Sequence, residues 1–130
     1  MITRSITTTE RESLVDITAM VSEAVHAAGT GEGICLITCP HTTAGLTVNE
    51  CADPSVAEDL LTGLARCVPE GETWRHAEGN SPAHLKASLV GCSVALPVHE
   101  GRLTLGRWQG IFLCEFDGPR TRDVTVQIVS

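Results

Sequence analysis

Residues 33–50, GICLITCPHTTAGLTVNE, contain the pattern on which the predicted fold depends. The run GICLITC is apolar and rich in β-branched residues, which favours a buried strand. Even spacing along that strand places Cys35 and Cys39 on one face. The residues that follow contain no Asp, Glu, Lys or Arg before Glu50, and a second strand can begin at Leu46. The segment therefore predicts two strands joined by a loop that carries a histidine.

Helices are predicted on both sides of this strand pair. Before it, ITRSITTT alternates as an opening strand, and a helix is expected from about 16 to 28, with Asp16 as its N-cap and Gly29 as its stop. This helix is predicted from apolar residues at helical spacing, namely Ile17, Met20, Val21, Ala24, Val25 and Ala28.

Two further helices are expected after the strand pair. The pair Asp53–Pro54 signals the start of a helix that reaches about Val68. The segment from Pro69 to Asn80 has no periodicity and is expected to be a loop. A third helix begins at Ser81–Pro82 and ends at Gly91, with Leu85 and Leu89 on its buried side.

The rest of the chain is predicted to be β. The strand candidates are CSVALPV, LTLG, GIFLCEF and VTVQIV, with turns at HEGR and DGPR. The fold class is therefore α+β: a single compact domain over residues 1–130, with about three helices and a mostly antiparallel, sandwich-like sheet.

Charge and cysteine content limit the function classes. The formal net charge of −7, from 9 basic and 16 acidic residues, disfavours nucleic acid and anionic membranes as partners. The sequence has neither the layout of a signal peptide nor an apolar run of membrane-spanning length, so a cytoplasmic protein is expected. Without an export signal or a CxxC pair, the six cysteines are expected to be reduced thiols, mostly in the core.

The segment HAEGNSPAH, residues 76–84, is the first candidate for chemistry. His76 lies in the predicted loop, Asn80 just before the third helix, and His84 in its first turn, where unpaired backbone N–H groups favour an anion. A zinc-like ion needs a third ligand, and His41 is preferred because it directly follows a buried strand. His26 and His99 rank lower. The alternative is a polar loop whose side chains hydrogen-bond among themselves.

The segment EFDGPRTR is the second candidate. On a strand, Glu115 and Asp117 would share one face while Phe116 turns to the core. Asp117 is also explained by a tight turn. Glu115 follows an apolar run and would be partly buried, so it needs a metal, a ligand or Arg120 as a partner.

Two shorter segments add possible pocket residues. In LGRWQG, Trp108 and Gln109 can stack on and orient a planar ring, although Trp108 can equally pack on the core. In NECADP, Asp53 is explained as a helix cap, which leaves Asn49 and Glu50 as pocket candidates.

Together these motifs resemble the secondary thiamine-phosphate synthase family, the YjbQ group. HTTAGLTVNECADP, HAEGNSPAH and GRLTLGRWQGIFLCEFDGPRTR occur in the same order and at similar spacing, covering roughly 39–54, 76–85 and 101–122. The resemblance implies an α+β fold of β-sandwich character and a homotrimer with pockets near subunit boundaries. It also implies a divalent-metal site at His41, His76 and His84. One departure, Cys51 in NECADP, affects the expected shape of the pocket wall.

The resemblance also implies a reaction. Some family members weakly join hydroxymethylpyrimidine diphosphate and thiazole phosphate into thiamine phosphate, a displacement of diphosphate by the thiazole nitrogen. Charge on the leaving diphosphate would be met by a metal with Arg120, Arg107 or Lys86, while Trp108 stacks on the pyrimidine and Gln109 contacts its edge. Three imidazoles favour zinc, whereas diphosphate chemistry usually uses magnesium, which remains possible.

Two alternatives stay open. One is a hydrolase of a small phosphorylated or acyl substrate, in which three histidines hold the metal and Glu115 or Glu50 is the general base. The other is a non-catalytic trimeric protein that binds a metabolite. The candidate catalytic residues are Glu115, Glu50, Asn80 and Gln109, and the candidate substrate-binding residues are Asn49, Lys86, Arg107, Trp108, Asp117 and Arg120.

Overall fold

The computed structural model describes residues 1–130 and contains three helices and eight strands. The helices are α1 (Thr18–Ala28), α2 (Pro54–Cys67) and α3 (Ser81–Val90). The strands are β1 (Ile2–Thr7), β2 (Ser13–Asp16), β3 (Gly33–Thr38), β4 (Ala44–Glu50), β5 (Ser93–His99), β6 (Arg102–Leu103), β7 (Gln109–Glu115) and β8 (Thr121–Val129).

The strands form two antiparallel sheets. The larger sheet has the order β1-β8-β3-β5-β6 and the smaller one β2-β7-β4. The main core lies between them and is completed by the apolar side of α1, including Val21 and Val25. A second cluster, with Ala83, Ala87, Cys114 and Phe116 as its buried members, joins α3 to the smaller sheet. The predicted α+β class is confirmed, as is a single compact domain with antiparallel sheets. The sheets curl and do not form a strict sandwich.

The helix signals in the sequence are mostly confirmed. Asp53 caps α2 by accepting a hydrogen bond from the N–H of Ser55 at 3.0 Å, and Gly29 ends α1 in the left-handed conformation. The N-cap position of α1 is Ile17 instead of Asp16. Asp16 ends β2, yet its carboxylate still accepts a hydrogen bond from the N–H of Thr18 at 2.9 Å.

The predicted buried side of α3 is wrong. Leu85 and Leu89 are 40% and 64% exposed, whereas Lys86 is 2% exposed. The helix approaches the smaller sheet through small residues, which allows close contact, and its buried positions are Pro82, Ala83, Lys86 and Ala87.

The sequence patterns missed one strand and made another too long. β2 was not expected because it is only four residues long and follows a charged segment; its apolar side chains gain partners only by pairing with β7. Within LTLG only Leu103 belongs to a strand, because β6 pairs with β5 over two residues.

The cysteines divide evenly between core and surface. All six are free thiols; Cys35, Cys39 and Cys114 are buried as expected, but Cys51, Cys67 and Cys92 are exposed. The expectation of core thiols therefore holds for half of them. No helix is both long and apolar enough to cross a membrane.

Candidate functional site

The candidate site is a polar cavity of about 370 Å³, referred to below as the histidine cavity. It lies where the β3–β4 connection, the start of α3 and the β7–β8 turn meet. No hydrophobic residue lines it, and its lining residues are Pro40, His41, Thr42, Thr43, His76, Glu78, Asn80, His84, Asp117, Arg120 and Arg122. The three histidines selected from the sequence therefore face one space.

The backbone explains how these histidines meet. β3 ends at Thr38, so His41 lies in the connection that leaves the sheet edge. The carbonyl of Asn80 accepts hydrogen bonds from the N–H groups of Ala83 (3.0 Å) and His84 (3.4 Å), which places His84 in the first turn of α3. His76 comes from the loop before that helix.

Contacts around the imidazoles leave them only partly restrained. His41 Nε2 accepts a hydrogen bond from the backbone N–H of Asp123 at 2.8 Å, so its proton lies on Nδ1 in the neutral form and Nε2 would have to give up this bond to ligate a metal. The rings of His76 and His84 meet edge to face, with centroids 5.2 Å apart. His76 Nε2 also lies 3.8 Å from Glu78 Oε2.

The donor set fits a zinc-like ion in its chemistry, because three imidazoles line one polar cavity. The ligands are not yet close enough for binding, however, since no three His, Cys, Asp or Glu side chains lie near enough to one another to coordinate the same ion. Ligation by all three histidines would require their rings to come closer together than they lie here. The His76 side chain, 42% exposed, is not held in the core.

Asp117 organises one wall of the cavity. Its Oδ2 accepts hydrogen bonds from Asn80 Nδ2 and Arg120 Nη2, both at 2.9 Å. Burial alone would raise the pKa of Asp117, but these bonds and the nearby guanidinium charges hold it below its ordinary value. Asp117 is therefore a fixed carboxylate that orients Asn80 and Arg120.

Asn80 carries an unmet hydrogen-bonding group. Its Nδ2 is committed to Asp117, whereas its Oδ1 is buried without a partner. A buried acceptor without a donor is unfavourable by about 1–3 kcal/mol. A bound group that donates a hydrogen bond here would remove that penalty.

Glu115 is the anion of a buried ion pair. It is fully buried, and Arg122 Nε lies 2.9 and 3.1 Å from its two carboxylate oxygens. Thr8 Oγ1 also donates to Glu115 at 2.7 Å, and Arg122 Nη2 donates to Thr43 Oγ1 at 2.9 Å. The partner is thus Arg122, which the sequence did not indicate, instead of Arg120.

These contacts determine the ionisation of Glu115. Burial would raise its pKa, but the hydrogen bonds from Arg122, Thr8 and the N–H of Asp117, together with the Arg122 charge, hold the pKa below its ordinary value. Both oxygens are occupied, so this carboxylate is not free to accept a proton from a substrate or water.

A second group of predicted site residues lies at the opposite end of the smaller sheet. β4 pairs with β7 so that Ala44 faces Glu115 at one end and Glu50 faces Gln109 at the other. Six residues of strand separate these ends by about 20 Å. Within one chain, the structure does not bring this group to the histidine cavity; its members are Asn49, Glu50, Arg107, Trp108 and Gln109.

The side chains of this second group contact one another and nearby backbone. Trp108 is 55% exposed and lies beneath the Arg107 guanidinium, 4.8 Å from the ring centroid. Gln109 Oε1 accepts a hydrogen bond from the N–H of Gly106 at 2.7 Å, and Asn49 Oδ1 accepts one from the N–H of Glu50 at the same distance. Trp108 is therefore not a core residue.

Lys86 does not face the histidine cavity. Its Nζ lies 2.6 Å from Glu12 Oε1, and its side chain is 2% exposed. This ion pair joins α3 to the segment between β1 and β2, so Lys86 is positioned to stabilise the fold instead of binding a substrate.

The structure adds two depressions beside the histidine cavity. One, of about 440 Å³, is lined by His41 and His84 together with Cys92. The other, of about 290 Å³, combines His76 and His84 with Trp74 and Leu85. The sequence had not indicated Cys92 or Trp74, because neither belongs to a recognisable ligand motif.

Comparison with known proteins agrees with the sequence motifs. The family model described as "UPF0047 protein YjbQ-like" matches residues 2–130. UPF0047 protein MJ1081 of Methanocaldococcus jannaschii is 49% identical over 124 residues, 95% of this chain and 90% of the relative. UPF0047 protein YugU of Bacillus subtilis is 49% identical over 128 residues, 98% of this chain and 97% of the relative.

Solved structures agree as well. A YjbQ/UPF0047 family protein from Clostridium acetobutylicum superposes with a TM-score of 0.97 at 46% identity, covering 99% of this chain and 100% of that one. None of these three names specifies a reaction, so the thiamine-phosphate activity stays a prediction. The family match over nearly the whole chain shows that this protein belongs to the YjbQ/UPF0047 family.

Proposed function

We propose that this protein is a metal-dependent enzyme that acts on a small phosphorylated substrate in the histidine cavity. The observation that carries the proposal is that His41, His76, His84 and Arg120 line one polar cavity. Imidazoles are good ligands for zinc, and a guanidinium recognises phosphate oxygens. Zinc is therefore the proposed cofactor, in preference to magnesium, which favours carboxylate oxygens.

The bound metal would act as a Lewis acid and lower the pKa of coordinated water. The chain's own residues have separate tasks. Arg120, held by Asp117, would bind a phosphate oxygen, and Asn80 Oδ1 would accept a hydrogen bond from the substrate or a water. The first turn of α3 favours the same anion through its backbone N–H groups.

Thiamine-phosphate formation is the narrower version of this proposal and rests on the family resemblance. Diphosphate needs several cations, yet Arg107 lies at the far end of β7 and Lys86 is paired with Glu12. Arg107 and Trp108 could take part in this reaction only if another subunit of the expected homotrimer brought them to the histidine cavity. Native mass spectrometry tests this assembly, and a monomer would remove the Arg107–Trp108 surface from the reaction.

Hydrolysis is the second candidate and is favoured by Glu78. This carboxylate lies 3.8 Å from His76, lines the cavity and keeps a 73% exposed side chain. Glu115 is held by Arg122, and Glu50 lies at the other end of β4. We therefore assign the general base of a hydrolase to Glu78 instead of Glu115 or Glu50.

Measuring the metal content tests the zinc site that both candidate reactions require. Protein prepared without chelators should contain about one zinc per chain by elemental analysis. His76→Ala and His84→Ala should lose it, while His26→Ala and His99→Ala, which alter exposed histidines outside the cavity, should retain it. Equal metal content in all four variants, or none in the parent protein, would overturn the metal assignment.

Turnover assays separate the candidates. Formation of thiamine phosphate from its two precursors supports the first, and hydrolysis of phosphate monoesters or esters that is lost in Glu78→Gln supports the second. A ligand that raises Tm without any turnover would instead indicate a metabolite-binding protein. A cytoplasmic location is part of the proposal and is tested by cell fractionation.

A further inference from the structure

A pair of cysteines faces each other across two strands beside the histidine cavity. β3 and β5 are antiparallel, with Thr38 opposite Ser93. The next residues along the pair are Cys39 and Cys92, and the N–H of Cys39 donates to the carbonyl oxygen of Cys92 at 2.8 Å. The pairing therefore continues one residue beyond the strands and sets the two cysteines directly opposite each other.

Both side chains belong to the inner face of the sheet. On β3, Cys35 and Ile37 are buried, so alternation places Cys39 on the same side. On β5, Val94 and Leu96 pack against the core, and the same alternation places Cys92 inward. Opposite residues in a hydrogen-bonded antiparallel pair have Cα atoms about 5.5 Å apart, within the roughly 4.4–6.8 Å that a disulfide spans. Their Cβ atoms are also about 5.5 Å apart, so closing the bond requires the two strand ends to draw together by about 1 Å.

The two thiols differ in access. Cys39 is 3% exposed, whereas Cys92 is exposed and lines the depression that also contains His41 and His84. A small oxidant dissolved in water therefore reaches Cys92 first, with Cys39 held beside it as a second thiol.

We propose that Cys39 and Cys92 form a reversible disulfide at the wall of the histidine cavity when the protein meets a low-molecular-weight disulfide such as oxidised glutathione. The Cys92 thiolate attacks one glutathione sulfur, which breaks the glutathione disulfide and releases one glutathione thiolate. The Cys39 thiolate then attacks the Cys92 sulfur and releases the second. The two cysteines are oxidised together, the glutathione disulfide is reduced to two thiols, and the two cysteine protons pass to the released thiolates.

This bond would act on the candidate site. Cys39 is two residues before His41, and Cys92 follows Gly91, the residue that ends α3. The cross-link would therefore tie the start of the His41 connection to the end of the helix that carries His84. It would also remove the Cys92 thiol from the depression. This inference depends on neither the metal nor the reaction proposed above.

The remaining cysteines provide internal controls. Cys35 and Cys114 are buried like Cys39 but lie opposite Leu96 and Gly45 in the strand pairing, so neither is set beside the exposed Cys92 and a dissolved disulfide does not reach them. Cys51, just after β4, and Cys67, the last residue of α2, are exposed and have no cysteine set opposite them, so each would hold glutathione as a mixed disulfide. The background for the test is therefore the folded Cys51→Ser/Cys67→Ser protein.

The test treats this background with oxidised glutathione and reads intact mass and peptide maps. We expect the protein to lose two hydrogens, to retain no glutathione, to yield a Cys39–Cys92 cross-linked peptide and to revert with a reductant. Cys39→Ala should trap glutathione on Cys92, and Cys92→Ser should leave Cys39 as a free thiol. Glutathione that stays on Cys92 while Cys39 is present, or a cross-link from Cys39 to Cys114, would overturn the proposal.

Thermal unfolding adds a readout of the folded state. A native cross-link across residues 39–92 restricts the unfolded chain, so Tm of the oxidised protein should rise by several degrees. The rise should be absent in Cys92→Ser. A lower Tm after oxidation would show that the bond does not belong to this fold and would overturn the proposal.

Discussion

Replacing Arg122 by Met should destabilise the protein strongly while retaining most of the side-chain volume. Glu115 is fully buried, and both of its oxygens accept hydrogen bonds from Arg122. Without that cation, the carboxylate must either stay charged in the interior or take up a proton. Removing one partner of a buried ion pair costs about 3–5 kcal/mol.

Protonation of Glu115 in the Arg122→Met variant would cost a similar amount of free energy. A carboxyl group with an ordinary pKa of about 4.3 requires about 3.7 kcal/mol to be protonated at pH 7, at about 1.36 kcal/mol per pH unit. The defect of Arg122→Met should therefore shrink by about 2.7 kcal/mol between pH 7 and pH 5. We expect a loss of about 4 kcal/mol at pH 7 and about 1 kcal/mol at pH 5.

Urea unfolding of the parent and variant at equal protein concentration measures this difference, since assembly would otherwise shift apparent stability. The double variant Glu115→Leu/Arg122→Met is the control. It removes both charges, so it should lie within about 2 kcal/mol of the parent. A loss below about 1 kcal/mol at pH 7 for Arg122→Met, or a loss independent of pH, would refute the argument from burial and charge.

Three further predictions follow from other parts of the structure. The pKa of Glu115 is lower in the folded than in the unfolded protein, so its ionisation stabilises the fold above the unfolded pKa. This stabilisation is lost as pH falls through the folded pKa. Acid should therefore destabilise the parent more steeply than Glu115→Gln below about pH 4.3. A Cβ on Gly45 would lie 2.6 Å from the carbonyl oxygen of Gly91, so Gly45→Ala should lower stability by about 1–3 kcal/mol. Gly63 lies inside α2, and a Cβ there would meet no atom within 4 Å, so Gly63→Ala should raise stability by about 0.5–1 kcal/mol. Thermal unfolding of the pair checks the contrast, and equal effects would contradict it. Asp53→Ala should cost about 1 kcal/mol through loss of the α2 cap, measured by urea unfolding, and an unchanged midpoint would show that the cap adds nothing.

Local signals in the sequence determined most of the secondary structure. Asp53 followed by Pro54 starts α2, and Gly29 ends α1, because capping and left-handed turns depend on a few adjacent residues. Alternating and apolar runs likewise located most strands, and the order of elements was sufficient for the α+β class. The histidine motifs were also recognisable, and their three histidines line one cavity.

Only the tertiary structure decided which polar residues meet. Glu115 pairs with Arg122 of β8 instead of Arg120. Side chains alternate along β8, which turns Arg122 toward the interior, where it is 3% exposed. The Lys86–Glu12 pair depends on how α3 packs, a non-local arrangement that spacing along the chain does not encode.

The separation of the predicted site residues has the same origin. Glu50 is only nine residues after His41, but β4 runs about 20 Å away from the histidine cavity, and the antiparallel pairing of β4 with β7 sets Trp108 at the same far end. The sequence by itself thus determined the elements and the chemical groups, since these depend on local backbone preferences and residue type. The tertiary structure decided their partners, because burial and strand register depend on residues distant in the chain.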